Sequence, residues 1–233
     1  QLKDLDSVEK KISKTERAAK AGDAKSKAEL AALQRYQTHL QQGKNARTMD
    51  ASDEEKEAVS DLFLLTMKPM LYVANVDEKN LHADNAYVKA LREAVKPEGA
   101  EVLRICAVLE AQIAEIEDTE EKKMFLEEYG LQESGLDQMI RSGYHLLDLV
   151  TYFTAGEKEV RAWTIHKGWK APHAAGVIHS DLERGFIRAE VIKMADYEKY
   201  RSEAACRDAG KINIEGKDYV VQDGDIMHFR HNS

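Results

Sequence analysis

The stretch Lys68-Pro69-Met70-Leu71-Tyr72-Val73-Ala74 is a short apolar run of the kind that forms buried strands. Residues 85–95 follow with apolar side chains at helical spacing, which predicts an amphipathic helix. Pro97-Glu98-Gly99 then turns the chain into a second apolar run at residues 101–108, which we predict to be another strand. Strand, helix and strand at this spacing predict a parallel βαβ unit.

Two amphipathic helices are predicted before this unit. Their apolar stripes consist of Leu2, Leu5, Val8 and Ile12 in the first helix and Leu30, Leu33, Tyr36 and Leu40 in the second. Ala21-Gly22-Asp23 separates the helices, because Gly ends a helix and Asp23 can cap the next one. The pattern predicts an antiparallel hairpin, and its narrow stripes favour a hairpin that projects from the body without a thick core of its own.

The sequence from about residue 147 onwards predicts a mixed α+β domain. Strands are expected at residues 160–165, 187–192, 217–221 and 226–229, and a helix at about 203–209. Lys167-Gly168 is expected to form a hairpin turn, and Asp223-Gly224-Asp225 a tight turn that lacks the longer ligand series of a calcium loop. The predicted fold class is therefore α/β plus α+β, in three parts at 1–48, 49–146 and 147–233.

Composition limits the class of protein. Of 233 residues, 43% are hydrophobic, and 34 basic against 42 acidic side chains give a net charge of −8. No run approaches the roughly 18 consecutive apolar residues of a membrane span, so no membrane partner is expected. Two cysteines make no disulfide framework, which favours a reducing, cytoplasmic setting. Because Gln1 opens the chain in what is expected to be mid-helix, the sequence also suggests truncation.

Positive charge is concentrated in the predicted hairpin. Residues 1–50 carry 11 basic and 7 acidic side chains, whereas residues 51–150 carry 10 and 22. Lys10, Lys14 and Arg17 lie at i, i+4 and i+7 and therefore share a helix face. They are either a solvated face or a set of contacts to RNA phosphates.

The tetrapeptide Asn75-Val76-Asp77-Glu78 directly follows the first predicted strand. In guanine-specific P-loop GTPases an Asn-Lys-x-Asp motif occupies this position, and its Asp accepts two hydrogen bonds from guanine. Here Glu78 stands in the fourth position and Val76 in the second, which removes the expected guanine reader. The alternative is a polar loop in which Asn75 caps local backbone.

The remaining chemistry-bearing residues favour structural roles. Cys106 and Cys206 have no neighbouring Cys-x-x-Cys and no obvious base, so we expect structural thiols. His173 and His179 are six residues apart and would not share a helix face as metal ligands at i and i+4 do. We therefore predict no metal site.

The C-terminal part carries a set of closely spaced motifs. They are Phe153-Thr154-Ala155-Gly156, Glu159-Val160-Arg161-Ala162-Trp163-Thr164-Ile165, Ala171-Pro172, Ala174-Ala175-Gly176, Ile178-His179, Gly185-Phe186-Ile187-Arg188-Ala189-Glu190-Val191 and Gly216-Lys217-Asp218-Tyr219-Val220-Val221-Gln222-Asp223-Gly224-Asp225. Together they closely resemble the TGS domain of the YchF/Obg-like ATPase family. Upstream, Leu2-Lys3-Asp4-Leu5-Asp6 with residues 25–33 resembles the family's coiled-coil insertion, and Asn75-Val76-Asp77-Glu78 resembles its adenine-tolerant motif.

The resemblance covers essentially the whole chain and implies an identity for each part. Residues 1–48 would be an antiparallel coiled-coil insertion, 49–146 the C-terminal part of an OBG-type G domain with its P-loop NTPase sheet, and 147–233 a ubiquitin-like β-grasp TGS domain. It also implies adenine contacts from Asn75, Val76 and Glu78. Cys106-Ala107-Val108 matches a second base-side loop, although simple burial of small apolar residues explains it equally well.

One departure from the family limits the activity expected of the chain. The family's Gly-rich P-loop, switch regions and Mg²⁺ ligands precede the coiled coil, and this sequence contains no such loop. The chain thus looks like the C-terminal portion of a ribosome-associated P-loop protein that binds and hydrolyses ATP. We assign it no catalytic residue and expect no ATP hydrolysis by it alone. The alternative is a non-catalytic module that binds structured RNA or the ribosome.

Overall fold

The computed structural model describes residues 1–156 and 159–232. The chain divides into two compact units, Gln1–Met139 and Ile140–Ser233. Among the described residues, no helix is both long and apolar enough to cross a membrane.

The first unit begins with the predicted helical hairpin. Helix α1 spans Leu2–Lys20 and α2 spans Ala24–Gln41. Asp23 caps α2 by accepting a hydrogen bond of 2.9 Å from the Ser26 N–H, and Gly22 adopts φ +96°, which few other residues tolerate. The turn therefore forms where the sequence predicts it.

The hairpin shares a core with the segment that follows it. That segment contains α3 (Asp53–Ser60), whose Ser52 and Glu55 form a capping box. The shared core contains Val8, Ile12, Leu33, Tyr36 and Leu40 from the hairpin and Ala46, Val59 and Leu64 from the segment. The hairpin therefore has no thick core of its own, as expected, and buries its stripes by packing against α3 and the residues around it. Leu2, which was expected in the first stripe, is 84% exposed.

The predicted parallel βαβ unit is confirmed. Strand β1 (Leu71–Asn75), helix α4 (Ala86–Val95) and strand β2 (Glu101–Ile105) follow one another, and the strands pair in parallel. The second strand was expected to continue to Val108, but it ends at Ile105. Helix α5 (Ala107–Glu115) begins there because Ala, Leu, Glu and Gln favour helix and because Leu109 and Ile113, one turn apart, are both buried.

Two helices follow, the acidic α6 (Thr119–Glu128) and α7 (Gly135–Leu146). Glu110 of α5 satisfies the first backbone donors of α7, since its carboxylate accepts the N–H groups of Gly135 at 2.7 Å and Leu136 at 3.1 Å. The negative charge also suits the positive end of the helix dipole.

The second unit is built on a five-stranded mixed sheet. In chain order its elements are β3 (Leu149–Ala155), β4 (Val160–His166), α8 (Ala171–Ile178), α9 (Ser180–Arg184), β5 (Phe186–Lys193), α10 (Met194–Tyr200), α11 (Glu203–Asp208), β6 (Asn213–Glu215) and β7 (Asp225–His231). The strand order is β4-β3-β7-β5-β6, and β3 and β7 pair in parallel. Tyr152, Ile165, Val191 and Met227 form the core with alanines of α8.

Several details of this unit differ from the sequence-based expectations. Strand β6 and helix α10 were not predicted. Strand β3, which pairs with both β4 and β7, was not predicted. Lys167-Gly168 is not a hairpin turn: it leads from β4 towards α8. Residues 217–221 form no strand but a single bridge between Val220 and Lys170. The tight turn at Asp223-Gly224-Asp225 is confirmed, with Gly224 at φ +78°.

Candidate functional site

The loops after β1 and β2 lie side by side at one edge of the parallel pair. Asn75 Oδ1 accepts a hydrogen bond of 3.1 Å from the backbone N–H of Ala107, at the first turn of α5. The N–H of Val76 donates to the carbonyl oxygen of Ile105 at 2.8 Å. The structure thus joins the two loops that the resemblance assigned to one base site. The Asn75 side chain therefore caps the backbone of a residue 32 positions away and not the backbone of its own loop.

The first loop makes a short 3₁₀ turn at Glu78–Asn80 immediately after Val76. Asp77 caps this turn by accepting the N–H of Asn80 at 3.1 Å, so its carboxylate is committed to the loop. Glu78 is exposed and is free of such a role among the described residues. The carboxylate of Glu78 is therefore available to a ligand.

The structure separates the other predicted residues by burial. Val76 and Cys106 are 9% and 3% exposed and pack with the apolar side chains of Leu81, Val88 and Leu109. Their side chains form the floor of the loops and can offer a ligand only their backbone. Ala107 is exposed and Val108 is 60% exposed.

The exposed groups of the two loops are of the kinds that can contact a planar ring. The Glu78 carboxylate can accept an exocyclic amine, and Val108 offers an apolar contact beside it. The side-chain amide nitrogen of Asn75 has no partner among the described residues and can donate to a ring nitrogen. Across residues 1–156 and 159–232, no group of three or more His, Cys, Asp and Glu is placed to hold a metal ion.

The predicted basic face of the hairpin is exposed on α1. Lys10 forms an ion pair of 2.8 Å with Asp6, whereas Lys14 and Arg17 have no ion-pair partner among the described residues. Lys11 points elsewhere, since its ammonium donates to the Ala58 carbonyl at 2.9 Å. The free cationic groups of this face are therefore Lys14 and Arg17.

A polar cluster that sequence reasoning missed connects the segment after the hairpin to the sheet. Glu98 accepts hydrogen bonds from Asn45 at 2.8 Å, from the Nη2 of Arg47 at 2.7 Å and from the Tyr72 hydroxyl at 3.0 Å. Burial by itself would raise the pKa of Glu98, but these bonds outweigh it and the pKa is lowered. The only signal in the sequence is a Glu between Pro and Gly in a turn, which points to no partner.

The second unit contains a cavity of about 730 Å³ that no motif predicted. Its lining includes Tyr144, His145, Phe153 and Lys167, together with the turn at residues 220–224. The volume lies within the range of small-ligand sites.

The chain is similar to known proteins along its whole length. It is 50% identical over 233 residues to the "Ribosome-binding ATPase YchF" of Bacillus subtilis and 49% identical over 231 residues to that of Escherichia coli O157:H7, covering 99% of this chain in each case. It spans 63% of the length of both relatives. The family model YchF-GTPase_C, described as a protein of unknown function (DUF933), matches residues 149–232.

Two solved structures are also similar to this chain. The Schizosaccharomyces pombe YchF GTPase superimposes with a TM-score of 0.84 at 34% identity, covering 98% of this chain and 62% of that one. A GTP-binding protein from Pyrococcus horikoshii OT3 matches with a TM-score of 0.50 at 20% identity, covering 84% of this chain and 56% of that one, and shares the fold alone. From its sequence and its structure, this chain belongs to the YchF family.

Proposed function

We propose that this chain supplies the base-recognition loops and the ribosome-contacting modules of a nucleotide-binding ATPase. The observation that carries the proposal is the hydrogen bond between Asn75 and Ala107, which brings two loops separated in sequence to one edge of the sheet. In open α/β sheets, ligands bind beyond the carboxyl ends of the strands, where these loops lie. The names of the relatives, ribosome-binding ATPases, support the same function.

The nucleotide is proposed to be ATP, with its adenine held by the two loops. The residues fit an adenine better than a guanine. The Glu78 carboxylate can accept the 6-amino group, while Val76 replaces the Lys of the guanine-reading motif. When bound, ATP would supply the phosphoanhydride bond, and its Mg²⁺ would neutralise charge on the phosphates. The residues of this chain would only bind and orient the base.

Ribosome contact is proposed for the hairpin and for the second unit. Residues 1–48 would act as the coiled-coil insertion, with Lys10, Lys14 and Arg17 on RNA phosphates, and 147–233 as a TGS domain. Support for the TGS assignment comes from the strand order β4-β3-β7-β5-β6, in which the unit's first and last strands pair in parallel at the centre, as in a β-grasp.

The base site can be tested with adenosine, which avoids any dependence on phosphate contacts. In a ¹H–¹⁵N NMR titration we expect shifts at the amides of residues 75–78 and 106–108 at millimolar adenosine, with smaller shifts from guanosine. Glu78→Ala should abolish the shifts, whereas the exposed control Glu93→Ala should not. Shifts elsewhere, or equal shifts with both nucleosides, would contradict the proposed site.

ATP itself should bind no more tightly than adenosine. The sequence contains no Gly-rich phosphate loop, so the triphosphate should add little affinity and Mg²⁺ none. Calorimetry that gave micromolar, Mg²⁺-dependent ATP binding to this chain would overturn this expectation.

A second candidate function, a non-catalytic ribosome- or RNA-binding module, is favoured by the exposed Lys14 and Arg17 alone. Co-sedimentation with purified ribosomes tests the part that both candidates share, and the adenosine titration distinguishes between them. Co-sedimentation without adenosine shifts would leave only the binding module. No co-sedimentation in low salt would exclude both ribosome-contact proposals.

A further inference from the structure

Three aromatic rings contact one another in sequence at one end of the second unit's sheet. The ring centroids of His166 and Trp169 are 5.5 Å apart, and those of Trp169 and His173 are 5.1 Å apart. We call these three side chains the aromatic row. His166 ends β4, Trp169 lies in the connection to α8, and His173 lies in the first turn of α8, so the fold fixes all three positions.

The row is open to a ligand. His166 and His173 are exposed, and Trp169 is half-buried and packs against the core. Adjacent rings are tilted by 51° and 62°, so their mutual contacts leave ring faces uncovered. Among the described residues, the indole N–H of Trp169 has no hydrogen-bond partner, which is consistent with a ring not fixed by a polar anchor.

The other tryptophan provides an internal contrast. Trp163 donates its indole N–H to Thr154 Oγ1 at 2.9 Å, and the guanidinium of Arg161 lies 4.2 Å from its ring centre. Its polar edge and one face are thus already occupied, as expected of a structural residue. Trp169 lacks both kinds of contact among the described residues.

Cationic side chains flank the row. Lys167 is exposed and has no ion-pair partner in the part of the chain that the structure describes. Lys170 pairs with Asp218 at 2.7 Å, but both side chains are largely exposed, and such pairs hold little free energy. The acidic neighbours include this Asp218 and Glu183, whose carboxylate lies 3.7 Å from His173 Nδ1 and engages only the edge of that ring. Asp148 and Asp223 line the adjoining cavity together with Lys167.

A concave surface continues from the row. His166 and Thr164 are two residues apart on β4 and therefore share a face of the sheet. On that face the Tyr144 hydroxyl lies 3.3 Å from Thr164 Oγ1, and Tyr144 lines the cavity of about 730 Å³ together with Lys167. Lys167 thus lies between the aromatic row and the cavity.

From these features we infer that the aromatic row is a binding site for unpaired RNA, with bases stacked on His166, Trp169 and His173 and phosphates held by Lys167 and Lys170. Aromatic side chains beside ammonium groups are the usual combination for single strands, because every base has a face to stack while duplex bases do not expose theirs. This inference rests on the proposed ribosome contact and names the surface and the class of RNA.

Tryptophan fluorescence tests the inference directly, since the chain has only two tryptophans. The Trp163→Phe variant fluoresces from Trp169, and the Trp169→Phe variant fluoresces from Trp163. Titration with a ten-nucleotide oligouridylate should quench the fluorescence of Trp163→Phe saturably and leave that of Trp169→Phe nearly unchanged. No quenching, or equal quenching in both, would overturn the inference.

Affinity measured with a labelled oligouridylate gives a second readout. His166→Ala and His173→Ala should each weaken binding at least about fivefold, because stacking on one ring contributes at least that factor. His179→Ala, an exposed histidine outside the row, should leave the affinity unchanged. Lys167→Gln with Lys170→Gln should flatten the log–log salt dependence by roughly 1.4, at about 0.7 per contact, whereas Lys199→Gln should not.

Ribosome co-sedimentation separates failure of this inference from failure of the proposed function. If the unaltered chain sediments with ribosomes and the His166→Ala, His173→Ala double variant does so equally, the aromatic row is not the contact and the proposed function stands. If the unaltered chain does not sediment at all but quenches with oligouridylate, the RNA site stands and the ribosome proposal fails. Preference for a duplex RNA of equal length would overturn the assignment to unpaired RNA.

Discussion

The side-chain oxygen of Asn75 lies 3.1 Å from the backbone nitrogen of Ala107 and accepts its N–H. Asn75 is the last residue of β1, and Ala107 is the first residue of the helix that follows β2. The first N–H groups of a helix need partners from outside it, and the N-cap residue here, Cys106, makes no side-chain cap. One amide therefore both caps α5 and fixes the spacing of the two loops.

Removal of this amide should loosen the second loop without unfolding the unit. In Asn75→Ala we expect faster hydrogen exchange at Ala107 and its neighbours, because a lost cap costs about 1 kcal/mol. Asn75→Asp keeps an acceptor and should keep the protection. Asn80→Ala is the matched control, since among the described residues that side chain bonds only Asp77, in the same loop. Equal exchange in all four proteins would show that the bond does not hold the loop.

Burial of Val76 changes how base preference should be tested. Val76→Lys would place an ammonium among apolar side chains and should lower the free energy of unfolding by about 2 kcal/mol or more. Val108→Lys, at a position that is 60% exposed, should change it by less than about 0.5 kcal/mol. Urea unfolding followed by circular dichroism measures both, and equal stabilities would contradict the packing described for Val76.

Glu78→Asp combined with Val76→Lys restores the guanine-reading pattern and should move base preference towards guanine. Because the Lys at position 76 should destabilise the fold, the effect of Glu78→Asp alone on base preference is easier to interpret. Paired NMR titrations with adenosine and guanosine would show the shift in preference. An unchanged ratio of the two affinities in both variants would mean that another contact selects the base.

Asp4 should make the stability of the first unit depend on pH. Its carboxylate is 2% exposed and accepts the N–H groups of Leu65 at 2.8 Å and Thr66 at 2.7 Å. Burial opposes ionisation, but these bonds outweigh it, so the pKa of Asp4 is lowered. A lowered pKa contributes stability that is present above the unfolded value of about 3.9 and is lost as pH falls through the folded value.

Asp4→Asn should therefore lower the free energy of unfolding by about 1–3 kcal/mol at pH 7, and the difference from the unaltered chain should narrow below about pH 4. Asp53→Asn is the control, because that side chain is 97% exposed. Denaturant unfolding at a series of pH values provides the comparison. A difference that stays constant down to pH 2 would show that ionisation of Asp4 plays no part.

The two sheets should differ in their resistance to hydrogen exchange. Among the described residues the β1–β2 sheet has two strands, whereas the second unit's sheet has five, with β3 and β7 paired on both sides. A strand paired on both sides must separate from two neighbours before its amides exchange, whereas a strand paired on one side must separate from one. Amides of β3 and β7 should therefore exchange more slowly than those of β1. Equal protection would indicate that β1 pairs with a second copy of the chain.

The sequence predicted those elements of the fold that depend on neighbouring residues and missed those that depend on distant contacts. The hairpin turn at Gly22 and Asp23 and the βαβ unit follow from short-range patterns and are confirmed. Strand β3 was missed although it is rich in β-branched and aromatic residues, because apolar and polar residues do not alternate along it. Residues 217–221 have a strand-like composition, yet their backbone pairs only at the bridge between Val220 and Lys170 among the described residues. The Tyr219 hydroxyl bonds Lys193 at 2.7 Å and Asp225 at 2.6 Å.

The candidate site was predictable in composition but not in geometry. Asn75, Glu78 and Val108 could be named from motifs, and they lie at one edge of the sheet. Burial of Cys106 was one of two alternatives that the sequence left open. Burial of Val76 was not predicted, because it depends on packing against Leu81, Val88 and Leu109, which are distant in sequence. The same holds for Glu98, whose partner Arg47 is 51 residues away.

The basic face of α1 should make ribosome binding depend on salt. If Lys10, Lys14 and Arg17 contact RNA phosphates, ribosome binding should weaken steeply with salt, because each contact contributes about 0.7 to 0.9 to the log–log slope. Changing all three to Gln should flatten the slope by roughly two to three, or by less than two if the Lys10–Asp6 pair persists in the complex. Helix content should remain, since Gln is nearly as good a helix former as Lys.

Lys11 should be left unchanged in this experiment, because its ammonium bonds Ala58 and Asp61 within the fold. Sequence preference should hardly change, since phosphate contacts position a protein and do not read bases. An unaltered slope in the triple variant would return these side chains to a solvated helix face and leave the second unit as the ribosome-contacting surface.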